Sequence, residues 1–196
     1  MKKLQLIGLI LVLAISYQCK DAKKETQETM SDEVEATEVI VEEVVDVEII
    51  TFKMEPKSES MVQGEVTFTE SDGMVSMSAV LSGLTEGEHA IHIHEKADCS
   101  SDDGKSTGGH WNPTHEPHGK WGAVEGYHKG DIGNFTADEE GNAVVEFETD
   151  QWCLGCDDEN KNIVGKAVIV HQGVDDFTSQ PSGAAGPRVS CTGIIN

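Results

Sequence analysis

Apolar and polar residues follow three successive rhythms along the chain. Leu4 to Ile15 is a nearly unbroken apolar run of twelve residues. Residues 20–45 are acidic and Thr-rich, dotted with Val, and contain no Gly or Pro. From Asp46 onward a period of two takes over, in which neighbouring side chains would point to opposite faces of a sheet. It runs through Val47 to Phe52, Val62 to Thr69 and Met74 to Leu81, then His89 to His94, Ala143 to Glu148, Gly165 to His171 and Arg188 to Ile194. Ser71-Asp72-Gly73 and Glu140-Gly141-Asn142 are turn signals between such runs. Short strands with turn signals predict an all-β fold, an antiparallel sandwich or barrel. Two irregular stretches, roughly 95–131 and 172–187, interrupt the strands, and long loops inside a compact domain usually carry function.

The N-terminal run follows the basic head Met1-Lys2-Lys3. It is too short for a helix crossing ~30 Å of hydrocarbon, which takes roughly 20 residues, and has the length of a signal-peptide core. Cys19 just beyond it resembles the lipidated Cys of a bacterial lipoprotein signal, although Ser16-Tyr17-Gln18 departs from the usual residues before such a Cys. Ordinary cleavage to a soluble product is the alternative. The expected organisation is a signal segment over residues 1–19, an acidic flexible linker over 20–45 and one β domain over 46–196. Val39 to Val45 is open to a further strand or a short helix. The expected location is the periplasm or cell envelope, with the protein anchored to a membrane through lipid on Cys19.

Charge narrows the partners. The 196 residues carry a formal net charge of −22, and eleven acids between Asp21 and Glu48 face only Lys23 and Lys24. Such a surface repels nucleic-acid phosphates and anionic headgroups, so neither is an expected partner. Of the five Cys, Cys19 belongs to export, which leaves Cys99, Cys153, Cys156 and Cys191 able to form two pairs in an oxidising compartment. Cys153-Leu154-Gly155-Cys156 is open to a local disulfide, two free thiols or an auxiliary metal site.

Seven of the eight His lie between His89 and His128. Strand alternation puts His92 and His94 on one face, and His171 ends another strand, so three or four imidazoles in a tetragonal set would suit Cu(II). His110, His118, His128 and Asp131 occupy the long Gly-rich loop, where three imidazoles and a carboxylate would suit tetrahedral zinc. That loop has little apolar content, so a bound metal would supply its order. Taken alone, His128-Lys129-Gly130-Asp131 also reads as a turn with a solvated His.

From about Asp46 to the C-terminus the chain resembles the copper/zinc superoxide dismutases. The resemblance rests on Val62-Gln63-Gly64, Gly83-Leu84-Thr85-Glu86-Gly87, His89-Ala90-Ile91-His92-Ile93-His94-Glu95, Gly109-His110-Trp111-Asn112-Pro113, His118-Gly119, His128-Lys129-Gly130-Asp131-Ile132-Gly133-Asn134, Val170-His171 and Gly186-Pro187-Arg188-Val189-Ser190-Cys191. It implies an eight-stranded Greek-key barrel with two functional loops and the dismutation of superoxide to oxygen and hydrogen peroxide. Copper would cycle between two oxidation states, with zinc in a structural and tuning role.

Residue by residue, the resemblance implies copper on His92, His94, His110 and His171, and zinc on His110, His118, His128 and Asp131. His110 would bridge the metals and pass a proton, and Arg188 would dock the superoxide anion. Asp175 would join a copper ligand to a zinc ligand through their outer nitrogens, and Cys99 and Cys191 would form the family disulfide. The step of eight from His110 to His118 leaves His115 as a solvated loop residue, and His89 would tie loop backbone to its strand. A homodimer is compatible with the resemblance. No Lys or Arg lies between Gln172 and Pro187, where many members carry steering charge, so steering falls to the metals and Arg188 against an acidic background, unless Lys96, Lys105, Lys120 or Lys129 lies near the mouth. A non-enzymatic metal binder would tolerate loss of Arg188 or of the bridging His, and both are present. An adhesive sandwich that merely binds zinc is the third class.

Overall fold

The alternating segments become eight strands in the computed structural model, which describes residues 46–195. The expected signal segment, Cys19 and the acidic linker lie outside the described residues. The strands are β1 (Val47–Pro56), β2 (Gln63–Ser71), β3 (Met74–Ser82), β4 (Gly87–His94), β5 (Gly133–Ala137), β6 (Ala143–Thr149), β7 (Ala167–His171) and β8 (Arg188–Gly193). All pairings are antiparallel, and the spatial order is β5-β4-β7-β8-β1-β2-β3-β6. The step from β3 past its neighbours to β4, and the return of β6 to pair with β3, give a Greek-key barrel nearly closed between β5 and β6. The only helical turn among the described residues is a 3₁₀ turn, Lys105–Thr107.

The pattern fails to mark one strand. Gly133-Asn134-Phe135-Thr136-Ala137 opens with two turn-forming residues and has only five positions, too few for a period to show. The other ends shift by a few residues. β1 continues to Pro56 because its pairing passes from β2 to Cys191 and Ser190 of β8.

Alternation builds the core. Val66 and Phe68 of β2 and Val75, Met77, Ala79 and Leu81 of β3 point inward and are buried, while Glu65, Thr67, Ser76 and Ser78 face away from the core. Each large apolar side chain so buried is worth roughly 1.5–3 kcal/mol over exposure. β4 and β7 differ, because nearly every residue is buried on both faces. Ile91, Ile93, Val168 and Val170 face the barrel interior. Ala90, His92, His94, Ala167, Ile169 and His171 therefore point outward, yet they too are buried. The two long loops cover them, which places polar imidazoles against strand backbone and out of water.

The covering loop is bonded to β4 where β5 stops. Ile93 N–H donates to Gly130 O (2.9 Å), Trp111 N–H to Ile93 O (2.8 Å) and Gly130 N–H to Trp111 O (3.0 Å). Position 130 has to be glycine, since a Cβ there would lie 2.1 Å from Ile93 O.

Candidate metal centre

Two clusters of donors form on the outer face of β4 and β7, and they share one ring. One donor atom from each of His92, His94, His110 and His171 lies within 4.8 Å of the others, and the same holds for His110, His118, His128 and Asp131. The register His92↔Ile169 and His94↔Ala167 brings the end of β7 beside the two β4 imidazoles. His110 reaches them through a bridge to His94 at the start of the loop.

The outer nitrogens decide where the lone pairs point. His94 Nδ1–H donates to Gly108 O (3.0 Å), and His171 Nδ1–H donates to Gly186 O (3.2 Å). Both Nε2 atoms are then unprotonated and face each other at 3.3 Å with no proton between them. His92 Nε2–H donates to Asp175 Oδ2 (2.8 Å), which turns Nδ1 inward. His92 Nδ1, His110 Nε2, His118 Nδ1 and His128 Nδ1 are buried without a hydrogen-bond partner. Converging buried nitrogens left without partners are costly, and a metal cation among them would take the lone pairs of the unprotonated rings and displace the proton of any charged one. The first set, all nitrogen, suits copper, and the second, three nitrogens and a carboxylate, suits zinc.

Asp131 organises the second set. Oδ1 accepts from His110 Nδ1 (2.8 Å), and Oδ2 lies 3.0 Å from His118 Nδ1. Oδ2 also accepts the backbone N–H of His128 (2.8 Å) and Gly119 (3.2 Å). Asp175 links the clusters, because Oδ1 accepts from His118 Nε2 (2.8 Å) while Oδ2 takes His92. Such outer partners fix ring orientation and tautomer.

Two side-chain amides bracket that link. Asn134 donates to Asp175 O and accepts Asp175 N–H, both at 2.8 Å. Gln180 accepts His118 N–H and donates to His118 O, both at 2.9 Å. Gly183 leaves room for the link, since a Cβ there would meet Asp175 Oδ1 at 1.8 Å. Sequence reasoning missed both amides, because nothing local marks an Asn or Gln that grips backbone 41 or 62 residues away.

Protonation follows from burial and the two carboxylates. Burial holds His92 below its ordinary value, and burial with neighbouring imidazoles and Arg188 holds His94 and His171 well below theirs. Burial, against Asp131, brings His110 down to about 4. At His118 burial pulls downward, but Asp131 and Asp175 outweigh it and raise the ring to about 9. Burial would raise Asp131 and Asp175, yet the imidazoles around them push both below the carboxylate range.

Metal-free protein should therefore be most stable near neutrality. The lowered His110 makes the unfolded chain bind more protons as pH falls from 6.5 towards 4, and the lowered carboxylates add to the loss below 3.8. The raised His118 contributes fully below 6.5 and loses its contribution as pH rises through about 9. Urea midpoints measured from pH 5 to 10 should fall on both sides, and metal loading should remove the alkaline fall. A flat alkaline limb without metal would contradict the His118 environment.

The first set opens onto a cavity of about 850 Å3 lined by His94, His110, His171 and Arg188. Arg188 is positioned by three acceptors: Nη1 donates to Gly104 O (2.8 Å) and Thr107 Oγ1 (2.9 Å), and Nη2 to Gly108 O (2.8 Å). Of the four lysines considered, Lys105 reaches the cavity wall, where it pairs with Asp103 at 2.8 Å. His115 is exposed on the loop. His89 sets its ring nitrogens 3.0 Å from His171 O and 2.8 Å from Thr85 O. Cys99–Cys191 and Cys153–Cys156 are both disulfides, which resolves the second pair as a local bridge.

Residues 62–195 match the family described as copper/zinc superoxide dismutase (SODC). The chain is 35% identical to superoxide dismutase (Cu-Zn) 2 of Aquifex aeolicus strain VF5, over 70% of this chain and 81% of that one. It is 36% identical to superoxide dismutase (Cu-Zn) 1 of the same strain, over 71% and 82%. Its fold is similar to a double mutant of a SOD-like protein from Bacillus subtilis, at TM-score 0.67 and 28% identity, over 74% of this chain and 97% of that one. It is also similar to the clock protein EA4, at TM-score 0.64 and 35% identity, over 75% and 94%.

Proposed function

The chain belongs to the copper/zinc superoxide dismutases, oxidoreductases that use both metals, and on that basis we propose that the two clusters divide the work of dismutation between them. Copper binds His92, His94, His110 and His171. Zinc binds His110, His118, His128 and Asp131. The observation that supports this division is the pair of four-donor sets with a single shared ring. Copper supplies the one-electron redox chemistry that superoxide needs, and zinc, which has none, supplies fixed charge and order.

The chain's own residues do the rest. Arg188 docks the anion at the cavity wall by charge-assisted hydrogen bonds, in a geometry set by the carbonyls of Gly104 and Gly108. His110 is the proton carrier, since its Nε2 is buried, unpartnered and turned into the shared set. In the metal-free chain Asp131 accepts from His110 Nδ1, which turns Nε2 towards the first set. Asp175 fixes His92 and His118 relative to each other.

Metal content and xanthine oxidase–coupled dismutase activity of the purified chain test the division. Equal copper and zinc with activity is the expected result. A zinc-only protein that stays inactive after copper loading would overturn it. Arg188→Ala should lower the rate roughly 10-fold or more while both metals stay bound, on the scale of one lost charge-assisted contact. Unchanged activity would remove Arg188 from the mechanism. The wall carries Arg188 and Lys105 against Glu95 and Asp103, so the rate should vary with ionic strength.

We also place the protein in the cell envelope, tethered through lipid on Cys19. Two disulfides in one domain support an oxidising compartment. Mass spectrometry of the mature N-terminus tests the tether, and an unmodified N-terminus would refute it.

A further inference from the structure

The aromatic residues of the zinc loop converge on a residue outside it. Trp121 and Tyr127 lie between His118 and His128, and Trp121 packs on Tyr127 (4.9 Å), on Phe147 of β6 (4.9 Å) and on Trp152 (5.9 Å). Trp152 also packs on Phe147 (5.0 Å) and Phe68 of β2 (6.4 Å), and is only 1% exposed. This ring thus joins the barrel core to a loop that has few apolar residues of its own.

Trp152 also makes one polar contact. Its Nε1–H donates to Lys129 O at 2.8 Å. Lys129 sits between His128 and Asp131, in a turn where Asp131 N–H donates to His128 O (3.1 Å) and Asp131 Oδ2 takes His128 N–H (2.8 Å). The turn is therefore gripped from inside by its own carboxylate and from outside by the indole. Gln151 adds to the outer grip, donating to Tyr127 Oη (2.9 Å) and accepting from Lys129 Nζ.

The Cys153–Cys156 disulfide fixes the base of this grip. Cys153 follows Trp152 directly, and its bridge closes the turn Cys153-Leu154-Gly155-Cys156, a sequence separation of 3. The turn is tied down by Cys153 N–H to Lys161 O (2.9 Å), Ile163 N–H to Cys153 O (3.1 Å) and Leu154 N–H to Glu70 Oε2 (2.6 Å). Asp157, Asp158 and Glu159 follow Cys156. Acids beside a thiol disfavour the thiolate, so the neighbourhood favours a lasting bridge over thiol exchange.

We propose that Trp152 and the Cys153–Cys156 bridge are positioning elements for the zinc half of the centre, holding the Lys129 carbonyl so that His128 and Asp131 meet the metal in one geometry. The inference rests on the zinc assignment of His110, His118, His128 and Asp131. Trp152→Phe keeps an aromatic ring in the cluster and deletes only the N–H donor. Cys153→Ala/Cys156→Ala deletes the bridge and leaves Trp152.

The test uses the full chain with cobalt(II) as a spectroscopic probe in place of zinc, and zinc release into a chromogenic chelator as the second readout. Trp152→Phe should alter the visible cobalt bands and speed zinc release about tenfold, the lower end of what an outer partner of a metal ligand contributes. The double Cys variant should move both readouts in the same direction. If neither variant folds, Gln151→Ala, which removes only the contacts to Tyr127 and Lys129, should still speed release. A lower melting temperature with unchanged cobalt bands and release rate would make this a core residue and a surface bridge only, and would overturn the proposal. A wild-type chain that takes up no cobalt or zinc would instead overturn the zinc assignment, and the proposal with it.

Discussion

His171→Ala is expected to abolish copper-dependent dismutation while the barrel and the zinc set remain. His171 is the donor supplied by β7, and its Nε2 faces His94 Nε2 at 3.3 Å. Removing it leaves three nitrogens and an open flank on the cavity side. The loss should exceed the roughly 10–100-fold that removal of an outer partner costs, because a direct donor goes. The fold should persist for a specific reason: the contact that His171 makes with His89 is through its backbone carbonyl, which alanine keeps. His171 is no part of the second cluster, so zinc binding should survive. Copper and zinc stoichiometry with the coupled assay would check it. A variant that keeps copper and full activity would remove His171 from the centre.

The sequence exposes the part of this site that is local. His92 and His94 share a face because a strand alternates, and that needs no knowledge of the fold. The remaining donors come from distant segments; residue type and placement suggest His171 beside that pair and His110, His118, His128 and Asp131 as a second set, and only the resemblance puts His110 in both. The structure brings those same residues together, in two sets sharing His110. What stayed hidden depends on pairs far apart in the chain. Asn134 and Gln180 are ordinary loop amides until Asp175 and His118 arrive beside them. The three acceptors around Arg188 lie in a loop whose path nothing local dictates. The same holds for Lys105, which reaches the cavity only because that loop folds back over β4. β5 was invisible for the opposite reason: five residues beginning Gly-Asn carry too little pattern, and its pairing with β4 defines it.

Charge at the mouth shows how the two kinds of information combine. The sequence says that the loop over 172–187 lacks a cation and that the chain is strongly acidic. The structure adds that Lys105 is paired with Asp103, so its field at the cavity is partly cancelled. Arg188 is then the main cation on the cavity wall, and unlike Lys105 it is held by three hydrogen bonds. A fixed guanidinium keeps its direction at no further entropic cost when the anion docks.

The Cys99–Cys191 bridge should contribute more to stability than any single side chain in the domain. It closes a segment with a sequence separation of 92, worth about 4–5 kcal/mol by chain entropy. For a domain of this size, Cys99→Ala/Cys191→Ala should lower the melting temperature by roughly 10–20 °C. The same bridge should matter for the reaction. Cys99 begins the loop that carries Gly104, Thr107 and Gly108, whose oxygens hold Arg188, and Gly108 O also fixes the His94 tautomer. Cys191 lies three residues beyond Arg188 on β8. The bridge therefore joins the strand that bears Arg188, the proposed docking residue, to the loop whose oxygens hold its guanidinium. Activity measured well below the melting temperature should fall, and the fall should appear in superoxide capture before it appears in copper content. A variant that melts lower but keeps the full rate at low temperature would limit the bridge to stability. A variant that loses copper in step with activity would show that Gly108, through His94, is the contact the bridge protects.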